Sequence, residues 1–340
     1  MSDYMSIKVD LKHTAYNIYI ERGILEKAGE LINLDRKVLI VTDEGVPEQY
    51  AETVAAQCKH SVIATVPQGE ESKSIGVYEN LLKKMLENGF TRKDAVVAVG
   101  GGVCGDLAGF VAASFMRGVD FYNIPTTVLS QVDSSIGGKV AVNLGGIKNI
   151  VGAFYQPKAV LIDPDTLKTL PRRQISAGLA EAVKMAVNFD KELFERIEAR
   201  ENPMDIIDEI IEGSLLIKKR VVEEDEKESG LRKVLNFGHT VGHAIESVAE
   251  GELYHGECVA LGMLAVCEDE VKDRVQKVLE SLNLPTEFKG DRDALIDAVS
   301  HDKKAGAGTT TVITCDQVGT FKMQEETLDE IKARMEQFFL

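Results

Sequence analysis

Three of the six histidines, His239, His243 and His255, fall within one run, NFGHTVGHAIESVAEGELYHGE (236–257). Imidazole is the commonest metal ligand and the side chain most readily poised for proton transfer near neutral pH. His239 and His243 are four residues apart, a spacing that puts both on one face of a helix. A Glu-Gly-Glu turn at 250–252 separates them from His255, which opens the next helical pattern. An antiparallel helix pair would bring His255 back toward the first two. One such histidine is usually a cap or a core residue, but three on converging faces point to a metal or catalytic centre.

Upstream, the stretch SAGLAEAVKMAV sets Glu181 and Lys184 three residues apart, on a common helical face. At the surface such a pair contributes little. Here the neighbours are Ala, Val, Leu and Met, which predicts a buried face, and a buried carboxylate requires a cation or a metal. With His239 and His255, Glu181 would complete a two-histidine, one-carboxylate zinc site that keeps a position open for substrate. His243 would then serve in hydrogen bonding or proton transfer. Spacing alone leaves open that His243 replaces either of the other two as ligand.

A second chemical signal lies in the first half. Residues 100–106 read Gly-Gly-Gly-Val-Cys-Gly-Asp after the apolar run DAVVAV, and a helical pattern follows over Leu107–Phe115. Gly100, Gly102 and Gly105 fit G-x-G-x-x-G, in which glycine admits a pyrophosphate and the helix N-terminus offers free N–H donors. The usual fingerprint sits at the first strand with an acid about twenty residues onward. Here it follows a later strand, while Asp43 already ends the earlier run KVLIVT. Asp43 is therefore expected on the adenosine ribose and 100–106 on the pyrophosphate, a variant of the usual architecture. Downstream, small residues flank Asp133, Lys139, Lys148 and Asn149 in a segment expected to loop around a polar ligand. Thr126 and Thr127 follow Pro125 where they could meet a ribose, although capping the next helix is the better expectation.

These residues need a scaffold, and the first half supplies strand–helix alternation. Strands are expected at Lys37–Thr42, Ser61–Val66, Asp94–Val99, Phe121–Ile124 and Ala159–Ile162, with helices between, such as Pro47–Lys59 and Ser74–Asn88. Such alternation reads as a mostly parallel sheet covered by helices. Helical periodicity then dominates from Arg172 to Gln276, with Pro171 at a helix start and Gly178 interrupting that helix. A strand pair, Thr309–Thr314 and Thr320–Met323, is expected across the turn 316–319, followed by a helix over Glu326–Phe339. The expected fold is an α/β N-terminal dinucleotide-binding domain (1–165) plus a mainly α-helical C-terminal metal-binding domain (166–340).

Composition excludes several partners. The formal net charge of −16 argues against nucleic acid or an anionic membrane. No apolar run is long enough to span a bilayer, and the start MSDYMSIKVD lacks a secretory pattern. Five scattered cysteines without a Cys-x-x-Cys pair support neither a disulfide frame nor a thiolate zinc site, so a reducing cytoplasm is expected. A small anionic substrate remains compatible if Arg117, Lys139, Lys148, Lys184, Lys218 and Arg232 gather locally.

The blocks GGGVCGDLAGFVAASFMRG, IPTTVLSQVDSSIGGKVAVN, KNIVGAFYQP, GLAEAVKMA, LNFGHTVGHAIE and YHGE, running in order from about 96 to 262, resemble the 3-dehydroquinate synthase family. That family belongs to the sugar-phosphate cyclase superfamily, whose fold is glycerol-dehydrogenase-like. The resemblance implies NAD, a divalent metal (Zn2+, with Co2+ as an alternative) and an anionic sugar phosphate as substrate. The implied reaction, in the shikimate pathway, converts 3-deoxy-D-arabino-heptulosonate 7-phosphate to 3-dehydroquinate and phosphate.

By resemblance Glu181, His239 and His255 hold the metal. Gly101, Gly102, Val103, Asp106, Thr126, Thr127, Leu129, Lys139, Lys148 and Thr169 match cofactor positions, with Asp43, Glu70 and Lys73 on the adenosine side. Arg117, Asp133, Lys139, Asn149, Lys184, Lys218, Arg232, Asn236 and His243 match substrate-pocket positions, and a late Asp-Lys-Lys motif offers Lys303 or Lys304. Two departures are mild. Gln68 stands where an acid often precedes the Gly-Glu of the adenosine loop, and Cys258 replaces the alanine usual after His-Gly-Glu. A homodimer is expected from the family. The rival readings are another sugar-phosphate cyclase, a metal-dependent polyol dehydrogenase, and a non-catalytic module with structural zinc.

Overall fold

Apolar runs with no polar face become strands buried on both sides. In chain order the first nine are β1 (Met5–Leu11), β2 (Thr14–Ile20), β3 (Lys37–Asp43), β4 (His60–Val66), β5 (Ala95–Gly100), β6 (Asp120–Pro125), β7 (Lys139–Leu144), β8 (Ile147–Phe154) and β9 (Ala159–Ile162). Every residue of β5 and of β9 is buried. The computed structural model describes residues 4–303 and 309–339. The chain divides into two units, Met1–Leu170 and Pro171–Leu340.

The first unit is built on a seven-stranded sheet of order β1-β2-β9-β6-β5-β3-β4. All of its neighbours are parallel except β1 and β2. Helices α1 (Ala28–Leu31), α2 (Glu48–Ala55), α3 (Ile75–Glu87) and α4 (Gly102–Ser114) connect them. Alternate residues of the central strands feed two cores. Leu39, Val41, Val96 and Ala98 pack with Leu107 and Val111 of α4. Val38, Ile40, Val97 and Val99 pack on the other face with Ala51 and Val54 of α2. The edge hairpin β1–β2 was not expected, although Ile7, Val9 and Leu11 alternate with polar residues in the way a strand with one buried face requires.

Chain direction reverses between β3 and β5. From β3 the chain passes outward to β4, whereas β5 lies on the other side of β3 and leads to β6. The carboxyl ends of β3 and β5 therefore form a topological switch point, the place where open α/β sheets bind ligands. Asp43 and the glycine turn end those two strands, which explains why the glycine motif follows a late strand. The helix opens at Gly102, five residues earlier than expected. The segment expected to loop around a ligand is instead ordered as the hairpin β7–β8, with a bulge between Val142 and Leu144.

The second unit is mainly helical: α5 (Arg172–Phe189), α6 (Lys191–Glu198), α7 (Ile207–Glu224), α8 (His239–Val248), α9 (His255–Val266), α10 (Asp269–Ser281), α11 (Arg292–Lys303) and α12 (Leu328–Phe339). A hairpin, β10 (Thr309–Thr314) with β11 (Lys322–Thr327), precedes α12. Gly178 does not interrupt α5. Its propensity cost of about 1 kcal/mol is outweighed because residues 177 to 188 are buried without exception, making α5 the central helix. The second strand of the hairpin begins at Lys322 because Thr320 still belongs to the turn, donating its N–H and hydroxyl to the Gln317 carbonyl. Helix α12 starts at Leu328 because Thr327 and Glu330 cap it reciprocally. No helix among the described residues is long and apolar enough to cross a membrane.

Helices α8 and α9 run antiparallel and touch backbone to backbone. A Cβ on Gly262 would lie 1.9 Å from the Gly238 carbonyl oxygen, and one on Gly242 would lie 3.0 Å from the Cys258 carbonyl oxygen. Gly262→Ala is therefore expected to destabilise the protein by about 3 kcal/mol, the upper range for overpacking. Denaturant unfolding measures it, and an unchanged midpoint would contradict this contact.

Candidate active site

The α8–α9 contact gathers the histidines. Gly238, in the left-handed conformation at φ 75°, turns the chain into α8, so that His239 is its first residue and His255 the first of α9. The ring centres lie 5.1 Å (His239–His243), 5.2 Å (His239–His255) and 5.8 Å (His243–His255) apart. Glu181 of α5 points its Oε1 to within 3.5 Å of His255 Nε2 and 3.7 Å of His239 Nε2. Ligands about 2.0–2.1 Å from a tetrahedral ion sit about 3.3 Å from one another, so this spacing suits one ion.

Three donor atoms of His239, His243 and His255 also lie within 4.8 Å of one another. We favour the set containing Glu181, because it is 1% exposed and its Oε1, the oxygen that Lys184 does not contact, has no hydrogen-bond partner. A buried carboxylate left in that state is suited to a cation. His243 is the exposed member of the three.

Electrostatics separate the members of this cluster. Burial would raise the Glu181 pKa, but the ammonium of Lys184, in contact with it, and the two imidazoles hold it well below the usual range. Burial, reinforced by Lys184, lowers His239 to about 3. Burial also acts to lower His255, yet the facing carboxylate of Glu181 and a second one, Glu246, which is hydrogen-bonded to it, push it up to about 9.

Local contacts fix the turn that carries His255. Arg173 donates from Nε and Nη2 to both oxygens of Glu257, each at 2.7 Å, and its Nη2 reaches the Glu252 carbonyl at 2.6 Å. Glu257 in turn accepts the Tyr254 backbone N–H at 2.7 Å. A Cβ on Gly256 would lie 1.8 Å from the Ala177 carbonyl oxygen, so only glycine lets α9 approach α5 this closely. Sequence reasoning missed Arg173, Glu257 and Glu246. For Glu246 a signal existed, since His239, His243 and Glu246 follow at i, i+4 and i+7 on one face.

Cations accompany the histidines within this unit. Lys184, Lys218 and Arg232 are 2%, 5% and 3% exposed, unusual for groups that normally stay in water. Arg232 is carried by a loop wound around Asp225, whose carboxylate accepts the N–H groups of Ser229 (2.9 Å), Gly230 (2.6 Å) and Arg232 (3.0 Å). Partial burial opposes ionisation of Asp225, but these bonds lower its pKa to about 2. Asn236 is exposed and donates to Glu228 at 2.7 Å. Lys303 ends α11 with no described side chain, and Lys304 lies outside the described residues.

In the first unit the structure brings most of the expected cofactor residues to the switch point. Cys104 donates to Asp43 at 3.2 Å, joining the ends of β3 and α4. Gly101, Gly102 and Val103 form the half-buried start of α4, which has no side-chain cap and leaves its N–H groups available. The backbone of Thr126 bonds Gly100, and Thr127 lies beside Gly101. Thr127 also caps the helical turn that follows, accepting from the Ser130 N–H at 3.2 Å, with the half-buried Leu129 on that turn.

Lys73, buried, binds Asp106 at 2.7 Å and also Asn149, while Asn143 donates to Glu70 at 2.8 Å. Asn149, expected among the substrate groups, thus stands with the residues expected for the cofactor. Asp133 is half-buried; Arg117, Lys139 and Lys148 are exposed, and Thr169 is exposed with its hydroxyl 3.0 Å from Tyr50.

Fold and site together define a metal- and dinucleotide-binding class of α/β-plus-helical enzymes. Two solved structures show the same architecture. One is 2-deoxy-scyllo-inosose synthase complexed with carbaglucose-6-phosphate, NAD+ and Co2+, with TM-score 0.88 and 26% identity over 98% of this chain and 100% of that one. The other is 2-epi-5-epi-valiolone synthase from Streptomyces hygroscopicus with NAD+ and Zn2+ bound, with TM-score 0.87 and 26% identity over 97% and 98% of the two chains. Family models for 3-dehydroquinate synthase match residues 63–177 (N-terminal) and 178–305 (C-terminal). The 3-dehydroquinate synthase of Enterococcus faecalis is 42% identical over 97% of this chain and 98% of the relative. The chain belongs to the 3-dehydroquinate synthase family.

Removing one partner of a buried ion pair typically costs 3–5 kcal/mol. Lys184→Met is expected to destabilise the chelator-treated protein by about 3 kcal/mol, the lower end of that range, because His255 remains 3.5 Å from Glu181. Urea unfolding tests this, and a loss below about 1 kcal/mol would mean that Lys184 does not neutralise the carboxylate.

Proposed function

We propose that the protein converts 3-deoxy-D-arabino-heptulosonate 7-phosphate to 3-dehydroquinate and inorganic phosphate, using NAD+ and a divalent metal, Zn2+ or Co2+. The observation that carries this reading is the buried Glu181, whose Oε1 has no hydrogen-bond partner and faces His239 and His255, in a unit that also buries three cations. When bound, the dinucleotide and the metal supply a reversible oxidation of one substrate hydroxyl and polarisation of its oxygen.

The chain's own residues account for the rest. Asp43 and Glu70 take the adenosine side, Lys73 holds Asp106 and Asn149 in place, and the free N–H groups at Gly101–Val103 take the pyrophosphate. Glu181, His239 and His255 hold the metal. Lys184, Lys218 and Arg232 receive the carboxylate and phosphate of the substrate by charge-assisted bonds, with Arg117, Lys139 and Asn236 as further polar contacts. His243, exposed beside the other two imidazoles, holds or passes a proton at the substrate hydroxyl. The sequence is oxidation to a ketone, loss of phosphate by β-elimination from the acidified C–H, reduction, ring opening and intramolecular aldol closure. No net redox change results, and the departing phosphate can accept the proton itself.

A polyol dehydrogenase would use the same metal and cofactor but has no need for buried cations, which disfavours that alternative. Purified protein with NAD+ and Zn2+ is expected to release phosphate from the heptulosonate phosphate without accumulating NADH, to lose this activity with chelator, and to regain it with Zn2+ or Co2+. Steady NADH formation from glycerol without phosphate release would favour the dehydrogenase. A competition assay with a sugar phosphate lacking the carboxylate separates the remaining cyclases.

We place the enzyme in the cytoplasm, in the shikimate pathway, and as a homodimer. Strand β8 supports the dimer: it pairs with β7 and leaves Ile147, Ile150 and Phe154 58%, 58% and 48% exposed, apolar side chains of the kind that an interface would cover. Light scattering after size exclusion is expected to give twice the protomer mass, reduced by Ile150→Asp. A wild type that elutes as a monomer overturns the assignment.

A further inference from the structure

Glu246 has no place in the functional reading so far, yet its carboxylate is hydrogen-bonded to the histidine cluster. Its Oε2 lies 3.0 Å from His255 Nδ1. Glu246 sits three residues beyond His243 in the last turn of α8, and His255 opens α9, so the contact links the two ends of the antiparallel pair. A carboxylate can only accept, so the proton of a neutral His255 ring resides on Nδ1 and the lone pair on Nε2. That Nε2 is the atom facing Glu181.

His239 shows the same arrangement with a weaker acceptor. Its Nδ1 lies 3.2 Å from the Phe237 carbonyl oxygen, and its Nε2 faces the same oxygen of Glu181. Both imidazoles are thus held from behind with their donor atoms converging, one by a neutral carbonyl and one by a charged carboxylate. A carboxylate behind an imidazole fixes its tautomer and orientation and makes it a more basic ligand.

We propose that Glu246 is a positioning residue for the metal site: it orients His255 as a donor and strengthens its hold on a divalent cation, without touching substrate. The proposal rests on the metal reading given above. Glu246 also stands near the N-terminus of α9, where a negative charge favours the helix. A purely structural role of that kind would alter folding but leave metal affinity unchanged.

The test measures the Zn2+ dissociation constant of the full-length protein by competition with a chromophoric chelator, together with the thermal midpoint of the metal-free form. The wild type is expected to bind Zn2+, with His255→Ala weakening it strongly. Glu246→Ala should weaken binding about 10–100-fold, and Glu246→Gln, which keeps an acceptor of the same shape, by distinctly less. The Co2+-loaded Glu246→Ala variant should show a shifted visible absorption spectrum. Equal Zn2+ affinity in the wild type and either folded Glu246 variant overturns the proposal alone. A wild type that binds no Zn2+, or binds it equally well after His255→Ala, overturns the metal reading and this proposal together. Should Glu246→Ala fail to fold, Glu246→Gln decides: an affinity equal to the wild type refutes the role, and a reduced one supports it.

Discussion

A carboxylate removed from water must be compensated, and Glu181 is almost wholly removed. Its desolvation carries a penalty of several kcal/mol. Among the described residues it is opposed by Lys184, in contact with Oε2, and by the imidazoles of His239 and His255, 3.7 and 3.5 Å from Oε1. Much of the second unit follows from meeting that demand. Helix α5 must be buried to remove Glu181 from solvent, which is why residues 177 to 188 have no exposed member. Helices α8 and α9 must then approach backbone to backbone to present their first residues to it, which explains the glycines at 242 and 262, while Gly256 lets α9 close on α5.

The first unit solves a different problem, how to expose backbone donors at the end of a buried strand. The strand order supplies the gap, since connections leave β3 and β5 in opposite directions. Glycine supplies access: a Cβ at Gly100 would strike Cys104, and one at Gly101 would press on Thr127 at 3.1 Å. Lys73 then ties Asp106 of α4 to Asn149 of the β7–β8 hairpin, so that a buried ammonium organises the polar residues around the switch point.

Net charge and local charge point in opposite directions. A chain at −16 repels polyanions as a whole, yet it buries Lys184, Lys218 and Arg232 in the unit that carries the histidines. Burial strengthens each cation's interaction with a small anion by lowering the local dielectric. The acidic exterior and the cationic interior are therefore compatible, and only the second bears on a small substrate.

Chemistry and periodicity could be read along the chain. The apolar runs of β3, β5 and β9, the pairing of His239 with His243 by a spacing of four, and the placement of Glu181 beside Lys184 all depend on neighbours in the chain. The ordered glycine, lysine and histidine blocks carried the family. Tertiary structure alone decided which groups meet. Glu246 reaches His255 because two helices pack antiparallel, and Arg173 grips Glu257 from 84 positions away. Gly178 continues a helix that local propensity would weaken, because burial around α5 outweighs it. The β7–β8 hairpin forms where small residues suggested a loop, because cross-strand pairing is a long-range bond that no local pattern reports. Contacts of that kind depend on backbone approach and desolvation, which arise only once the chain has folded.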